Sequence, residues 1–307
     1  MIWPTRAEEV DRLRHELRSF SDNTRPLPGI AEAAASEALA LQMVASLRRL
    51  DFTRHLMSRD VDQRRADPSS PMFDPERAAI LLARSGNLNE AVWLIFLSIH
   101  FGKHGRHGWR RLRDVYSGLG TERWSWERVS NNVPAFREWL SANADSIGGA
   151  FGNHRKYESL NGASPNGTGA AVASYVEWIG PEHSHSGRFA SLVQAAGNDP
   201  HSIFDRFYND MHVHRFGRLG KFDFLALLGR LGLAPIEPGQ AYLAGATGPL
   251  AGARLLFGGD RQVALRAPLL ETYVAELDGQ LQVGKQVMED SLCNWQKSPT
   301  KFVHFKG

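Results

Sequence analysis

Hydrophobic positions along this chain recur with the helical period, and no stretch alternates apolar and polar residues as a half-buried strand would. The densest apolar run, Ala91 to Phe101 (AVWLIFLSIHF), is broken by Ser98 and His100. It is far shorter than the roughly 20 apolar residues that cross a bilayer, so it predicts a buried core helix. Thr5-Arg-Ala-Glu8 has the form of a capping box opening a helix to about Ser19. A second helix is predicted over Ile30–Arg49. Asp74-Pro75 places an N-cap before a proline at the first helical position. Further helical patterns cover Val133–Ala142, Ala170–Ile179, Pro200–Val213, Lys221–Leu231, Leu250–Phe257, Pro268–Leu277 and Val283–Trp295.

With no internal repeat, these elements predict an all-α protein in two helical lobes with a cleft between them. The polar segment Arg59–Ser70 (RDVDQRRADPSS) is the best linker candidate. It divides an N-terminal helical extension, 1–65, from a main domain, 73–307. The N-terminus carries no apolar signal core, and the expectation is a soluble, cytoplasmic protein with no membrane association.

Composition narrows the chemistry only a little. The 307 residues carry a net charge of +3, compatible with a nucleic-acid partner and with much else. The single cysteine, Cys293, excludes a disulfide framework, a cysteine zinc site and a four-cysteine iron–sulfur cluster.

The most informative segment is Leu243 to Phe257, LAGATGPLAGARLLF. Leu243, Gly245, Gly248, Ala253, Leu255 and Leu256 fit a helix-hairpin-helix of the DNA-repair type, provided the hairpin carries one or two extra residues. In such a turn glycines expose backbone N–H groups, and the following helix end adds its dipole, so together they hold a phosphate. Gly245, Thr247, Gly248 and Gly252 are the expected contacts. Ala244 stands where the pattern has proline, and a plain glycine-rich loop is the competing reading.

In base-excision enzymes with this hairpin, a catalytic aspartate follows at the head of a later helix. Glu271, in Leu270-Glu-Thr-Tyr-Val274, fits by order; Asp210, in Asp210-Met-His-Val-His-Arg215, fits by residue type. Asp290, beside Glu289 and before Lys297 and Lys301, is a third candidate. Gly248-Pro-Leu-Ala251 holds no lysine to form a Schiff base, which predicts a monofunctional enzyme leaving an intact abasic site.

Four longer stretches point to one family: FGNHRKYESL (Phe151–Leu160), RFGRLGKFDFLALLGRLGL (Arg215–Leu233), YLAGATGPLAGARLLFGG (Tyr242–Gly259) and VMEDSLCNWQKSP (Val287–Pro299). Over roughly Phe73 to Gly307 the chain resembles the alpha-glutamyl/putrescinyl thymine pyrophosphorylase clade 3 family. The resemblance implies a helix-hairpin-helix DNA glycosylase-like fold acting on duplex phage DNA with modified bases. It further implies excision of alpha-glucosyl-5-hydroxymethylcytosine in antiviral defence. A transferase building hypermodified thymine and a non-catalytic DNA-binding module are the alternatives.

On that reading His154, Arg155, Tyr157, Glu158 and Arg215 line the pocket for a flipped base, with Lys156 beside them. The basic stretch Lys103–Arg113, with Arg110 and Arg111, and Lys221 would follow the DNA backbone. Asn161–Gly169 reads as a loop that enters the duplex or simply lies on the surface, with Thr168 capping the next helix. Trp124 and Trp126 are the tryptophans most suspected of exposure. His183 with His185, and His212 with His214, are spaced two apart, which does not put them on one helical face, so no metal is expected. No cofactor and no obligate protein partner are expected either.

Overall fold

The computed structural model describes residues 3–304. Fourteen α-helices follow one another in it: α1 (Ala7–Asn23), α2 (Ala33–Ser58), α3 (Pro75–Arg84), α4 (Leu88–Phe101), α5 (Arg110–Tyr116), α6 (Trp126–Asn131), α7 (Val133–Asn143), α8 (Thr168–Ile179), α9 (His185–Ala196), α10 (Pro200–Asp210), α11 (Arg218–Arg230), α12 (Gly248–Gly258), α13 (Ala267–Leu281) and α14 (Lys285–Trp295). The described residues contain no strand, only one isolated bridge between His104 and Gly108. The protein is all-α. Among the described residues, no helix is long and apolar enough to cross a membrane.

The chain divides into two compact units, the described parts of Met1–Thr53 with Pro238–Lys306, and Arg54–Glu237. These cuts differ from the 1–65 and 73–307 division expected above. The reason lies in one shared core of the terminal unit. In α1, Val10, Leu13, Leu17 and Phe20 are buried at helical spacing, and they join Leu270, Val274, Leu277 and Leu281 of α13 and Val287, Met288, Leu292 and Trp295 of α14. Residues Ala38–Ser46 of α2 are buried on every side, as an all-round apolar helix must be. Arg6 pairs with Asp51, Arg49 with Asp290, and the Gln42 side chain donates to the Val303 carbonyl at 2.9 Å.

The start of α1 also differs from expectation. Pro4–Arg6 forms a 3-10 turn, and α1 begins after Arg6 with no side-chain cap. Asp74 does cap α3, accepting from the Arg77 N–H at 3.1 Å.

The central unit, Arg54–Glu237, is built on α4. The Phe96 ring stacks on Tyr175 at 3.8 Å and on Phe216 at 4.8 Å. Trp93 donates to the Trp124 carbonyl at 3.0 Å. Buried Glu90 accepts from the Tyr116 hydroxyl and from the Trp126 N–H, and burial raises its carboxyl above the usual range. This network draws in Trp124 and Trp126, which are 2% and 3% exposed rather than surface residues. The expected linker is folded as well: the Arg65 carbonyl accepts from the Asp74 N–H at 3.0 Å, and its guanidinium donates to the Met72 carbonyl at 3.1 Å.

Candidate functional site

Two of the sequence stretches singled out above meet in the central unit. At the end of α4, the Gly152 N–H donates to the Phe101 carbonyl at 2.8 Å. A Cβ on Gly152 would lie 2.8 Å from the Gly102 carbonyl carbon, so the two backbones touch at a place where only glycine fits. This contact delivers the turn Asn153–Arg155 and the residues after it.

Arg155 is 8% exposed, and its guanidinium donates from Nε to the Ile99 carbonyl at 2.9 Å and from Nη1 to the Arg215 carbonyl at 3.2 Å. It lies over the Phe216 ring at 5.1 Å. Gly220 makes the room, since a Cβ there would stand 2.6 Å from Nη2, an atom with no hydrogen-bond partner. Arg155 therefore anchors the loop that carries Arg215, and is not itself a surface contact.

Arg215 adopts a left-handed backbone, φ 66°, unusual for a residue with a side chain. Its Nε donates to Glu158 at 2.8 Å and its Nη2 to the Tyr157 carbonyl at 3.4 Å. Tyr157 is 81% exposed with Lys156 over its ring. Glu158 in turn lines a cavity of ≈ 360 Å³, together with Arg111, Phe151, Asp145, Ser159 and Asn161. Arg111 is steadied by the Gly149 carbonyl at 2.7 Å and lies over Phe151 at 4.9 Å, and burial draws its guanidinium below the ordinary value. Arg110 is turned toward Asp114.

Behind this wall lies His100, fully buried. The Thr168 hydroxyl donates to the Ser159 carbonyl at 2.7 Å, so its lone pair receives Nε2–H of His100 at 2.9 Å. Burial first, then the charges of Arg155 and Arg215, push His100 down to about 3. Sequence reasoning missed His100 as a site neighbour; its only signal was a histidine interrupting the apolar run. Thr168 is not the cap of α8, which is Gly167. The Asn161–Gly169 loop is held close, with Asn161 accepting from the Ala163 and Ser164 N–H groups and Arg137 donating to the Gly162 carbonyl at 2.8 Å.

None of the three carboxylates expected to be catalytic lines this cavity. Asp210 accepts from Trp178 at 2.8 Å and pairs with Arg188. In the terminal unit, Glu271 accepts the backbone N–H groups of Ala241 and Leu243, and Asp290 pairs with Arg49 and accepts from Asn294 at 2.9 Å. The paired histidines also go separate ways. His185 is buried, bonded to Tyr175 and Asn89 and pushed down to about 3 by burial, whereas His212 and His214 are exposed.

The glycine-rich segment forms a turn, with the Ala246 N–H on the Leu243 carbonyl at 3.0 Å and Gly245 at φ 74°, followed by α12. The connection from α11 occupies all of 231–247, longer than one or two extra hairpin residues. Gly245 and Thr247 are exposed at the start of α12; Gly248 is half-buried beside Cys293. Gly252 is buried, and a Cβ there would lie 2.2 Å from the Leu292 carbonyl oxygen, so it serves the approach of α12 to α14.

The sequence pattern of the alpha-glutamyl/putrescinyl thymine pyrophosphorylase clade 3 family matches residues 34–307. No curated protein and no solved structure matches the chain. The chain belongs to that family, which is named for chemistry on modified thymine and places it among proteins of DNA-base modification.

Proposed function

From that membership we propose that the protein is a monofunctional DNA N-glycosylase that flips a hypermodified base from duplex DNA and leaves an abasic site. The substrate we assign is alpha-glucosyl-5-hydroxymethylcytosine in phage DNA, and the role antiviral defence. The observation that carries the reading is the Arg215–Glu158 ion pair in the wall of the cavity bounded by Arg111 and Phe151. A flipped base needs an aromatic face, groups that bond its polar edge and a way in from the surface. Tyr157, 81% exposed at the rim, offers the face, while Ser159, Asn161 and Arg111 in the cavity offer the bonds.

Glu158 takes the catalytic role in this reading, in place of Asp210, Glu271 and Asp290, because it alone of the four faces the cavity. Its partner Arg215 fixes it as an oriented carboxylate. The bond between C1′ and the base nitrogen breaks and develops positive charge on the sugar, as in glycoside hydrolysis. The carboxylate stabilises that charge and takes a proton from the attacking water as its oxygen bonds C1′. The bonding pair leaves with the base, and Arg111 favours that departure. Tyr157, exposed at the rim with His154 and Lys156 nearby in sequence, would meet the nucleotide as it turns. In the terminal unit, the backbone N–H groups around Gly245, Thr247 and Gly248 would hold a backbone phosphate; in the central unit, Arg110 would add charge of its own.

Purified protein is incubated with phage DNA carrying glucosylated hydroxymethylcytosine and with unmodified DNA, and free base is sought by mass spectrometry. Release from the modified DNA alone is expected, and Glu158→Gln should slow it by about 10²–10⁴-fold while DNA binding persists. Full activity in Glu158→Gln overturns the residue assignment. The family's name favours a second reading, group transfer to a modified thymine. It predicts an amine requirement and an intact glycosidic bond, and absence of released base from every DNA selects it.

A further inference from the structure

Another cavity of the central unit, ≈ 510 Å³, is lined from the start of α4, from α6 and from the loop before α9. Its volume lies within the range of small-molecule sites, about 300–1,000 Å³. Glu90 forms its floor, 7% exposed and held by the Tyr116 hydroxyl and the Trp126 N–H. Each carboxyl oxygen accepts one of these bonds and keeps a second lone pair. No role in the base cavity falls to this buried acid.

Hydrogen-bond donors and acceptors are sorted around this floor. Asn87 accepts the Glu90 N–H at 3.2 Å through Oδ1. Asn89, half-buried, accepts through Oδ1 from the His185 backbone N–H at 2.9 Å and from its ring at 3.1 Å. Both amide oxygens are thus committed, while neither Nδ2 group has a partner among the described residues. Glu127 and Glu182, exposed at the rim, supply acceptors and carry no ion pair among the described residues. Arg123 is the only lysine or arginine of the lining and lies over the Tyr116 ring at 5.3 Å.

These groups select the ligand's chemistry. An anion would meet Glu127 and Glu182 beside a carboxyl that burial, and then Glu127, already push above the usual range. An alkylammonium would suit the carboxylates, but it has donors only and would leave the amide N–H groups facing more N–H. No group of three histidine, cysteine or carboxylate ligands is gathered among the described residues as a metal would need. A hydroxyl both donates and accepts, so a ring bearing several of them satisfies amides and carboxylates together.

We propose that this cavity binds a neutral polyhydroxylated ring of hexose size, which accepts from the Asn87 and Asn89 amides and donates to Glu127 and Glu182 above Glu90. The proposal goes beyond base excision and does not depend on it. The sugar is either free or carried as a substituent on a DNA base, and only the second source touches the DNA-directed reading.

The test uses the full chain and two variants. Asn87→Asp keeps the oxygen that caps α4, so the helix start is preserved while a donor becomes an anionic acceptor. Glu127→Gln removes a charged acceptor at an exposed position. Glucose, galactose and mannose are titrated by saturation-transfer nuclear magnetic resonance, and the side-chain amide resonances of Asn87 and Asn89 report where they bind. Butylamine is titrated alongside as the ammonium probe.

At least one hexose should bind the wild type and shift both amide resonances, and each variant should weaken it by about fivefold or more at an unchanged melting temperature. Binding of none of the three hexoses, or wild-type affinity in either variant, overturns the proposal. So does butylamine binding more tightly than any hexose and gaining affinity in Asn87→Asp, which would make the site cationic in preference. Duplex DNA is then added to the bound hexose. Displacement by glucosylated duplex but not by hydroxymethylated duplex assigns a sugar carried on DNA, and displacement by neither assigns a free sugar. Displacement by both overturns the proposal, because a cavity that takes the phosphate backbone is not a neutral polyol site. None of these readings involves base release, so a failed glycosylase assay leaves them intact.

Discussion

Replacing Gly252 by alanine separates two roles that glycine can have in this segment. A glycine that meets DNA from an exposed helix would accept alanine with a gain, because alanine is the better helix former by about 0.8–1.0 kcal/mol. The structure predicts a loss. The added Cβ would stand 2.2 Å from the Leu292 carbonyl oxygen, 2.7 Å from its carbon and 3.0 Å from the Leu292 Cα. All three atoms are backbone of α14, so no rotamer change relieves the contact. An ordinary carbon–oxygen approach is about 3.3 Å, so α12 and α14 must part by about 1 Å. Overpacking of this kind costs about 1–3 kcal/mol, and parting the helices also weakens the dispersion contacts of Leu256 and Trp295. The clash together with the weakened contacts exceeds the propensity gain, leaving a net destabilisation of up to about 2 kcal/mol. Gly279, exposed on α13 with nothing within 4 Å of its would-be Cβ, is the control, and Gly279→Ala should stabilise by up to about 1 kcal/mol. Urea unfolding of the three proteins, followed by circular dichroism, gives the midpoints. A midpoint for Gly252→Ala at or above that of the wild type would refute the packing argument.

Glu271→Ala should destabilise the terminal unit by about 2–4 kcal/mol, because it strands the N–H groups of buried Ala241 and Leu243. Glu271→Gln should retain part of that, and a variant with wild-type stability but no activity would show a catalytic role instead. His100 predicts a pH dependence. Its folded pKa of about 3 lies below the unfolded value near 6.5, so the unfolded chain binds the extra proton between these limits. The stability it carries is present above about pH 6.5 and is lost as pH falls toward 3. Between pH 6 and 5 the wild type should lose up to about 1.4 kcal/mol per unit relative to His100→Asn; this difference cancels buried Glu90, which acts in the opposite direction. Parallel pH curves for the two proteins, or an imidazole resonance of His100 titrating above pH 5, contradict the assignment.

Local signals were legible where they were strong. The apolar run became α4, and Asp74-Pro75 began α3, because an N-cap acceptor and a proline at the first position act within one turn. The helix α9 went unread, although Ser184 caps it through the Gly187 N–H at 3.1 Å and Gly197 ends it at φ 91°. Its first turn, His-Ser-Gly-Arg, holds no apolar position to start a period. The terminal unit could not be read from one end of the chain, because α1 and α2 complete their core with residues more than two hundred positions away. Nor does sequence tell a glycine that bares backbone for a phosphate from one that lets two helices meet. Gly245 and Gly252 sit in the same motif, yet one is exposed and the other buried.

The candidate site was legible as a set of residue types and illegible as a balance of charge. His154–Glu158 and Arg215 stood out in two separate stretches, and the fold does bring Glu158 to Arg215. What could not be read is that Arg155 is buried beneath them, holding the Arg215 carbonyl, and that His100 behind it is kept neutral by burial and by those two arginines. The consequence is electrostatic. Around the cavity wall the charges are matched: Glu158 and Asp145 line the cavity with Arg111, Asp114 acts on Arg111, and Asp223 and Glu158 act on Arg155. A protonated His100 would place a further positive charge beside Arg155 and Arg215 inside the core, where it would have no water to screen it. Keeping the histidine neutral lets the arginines stay charged.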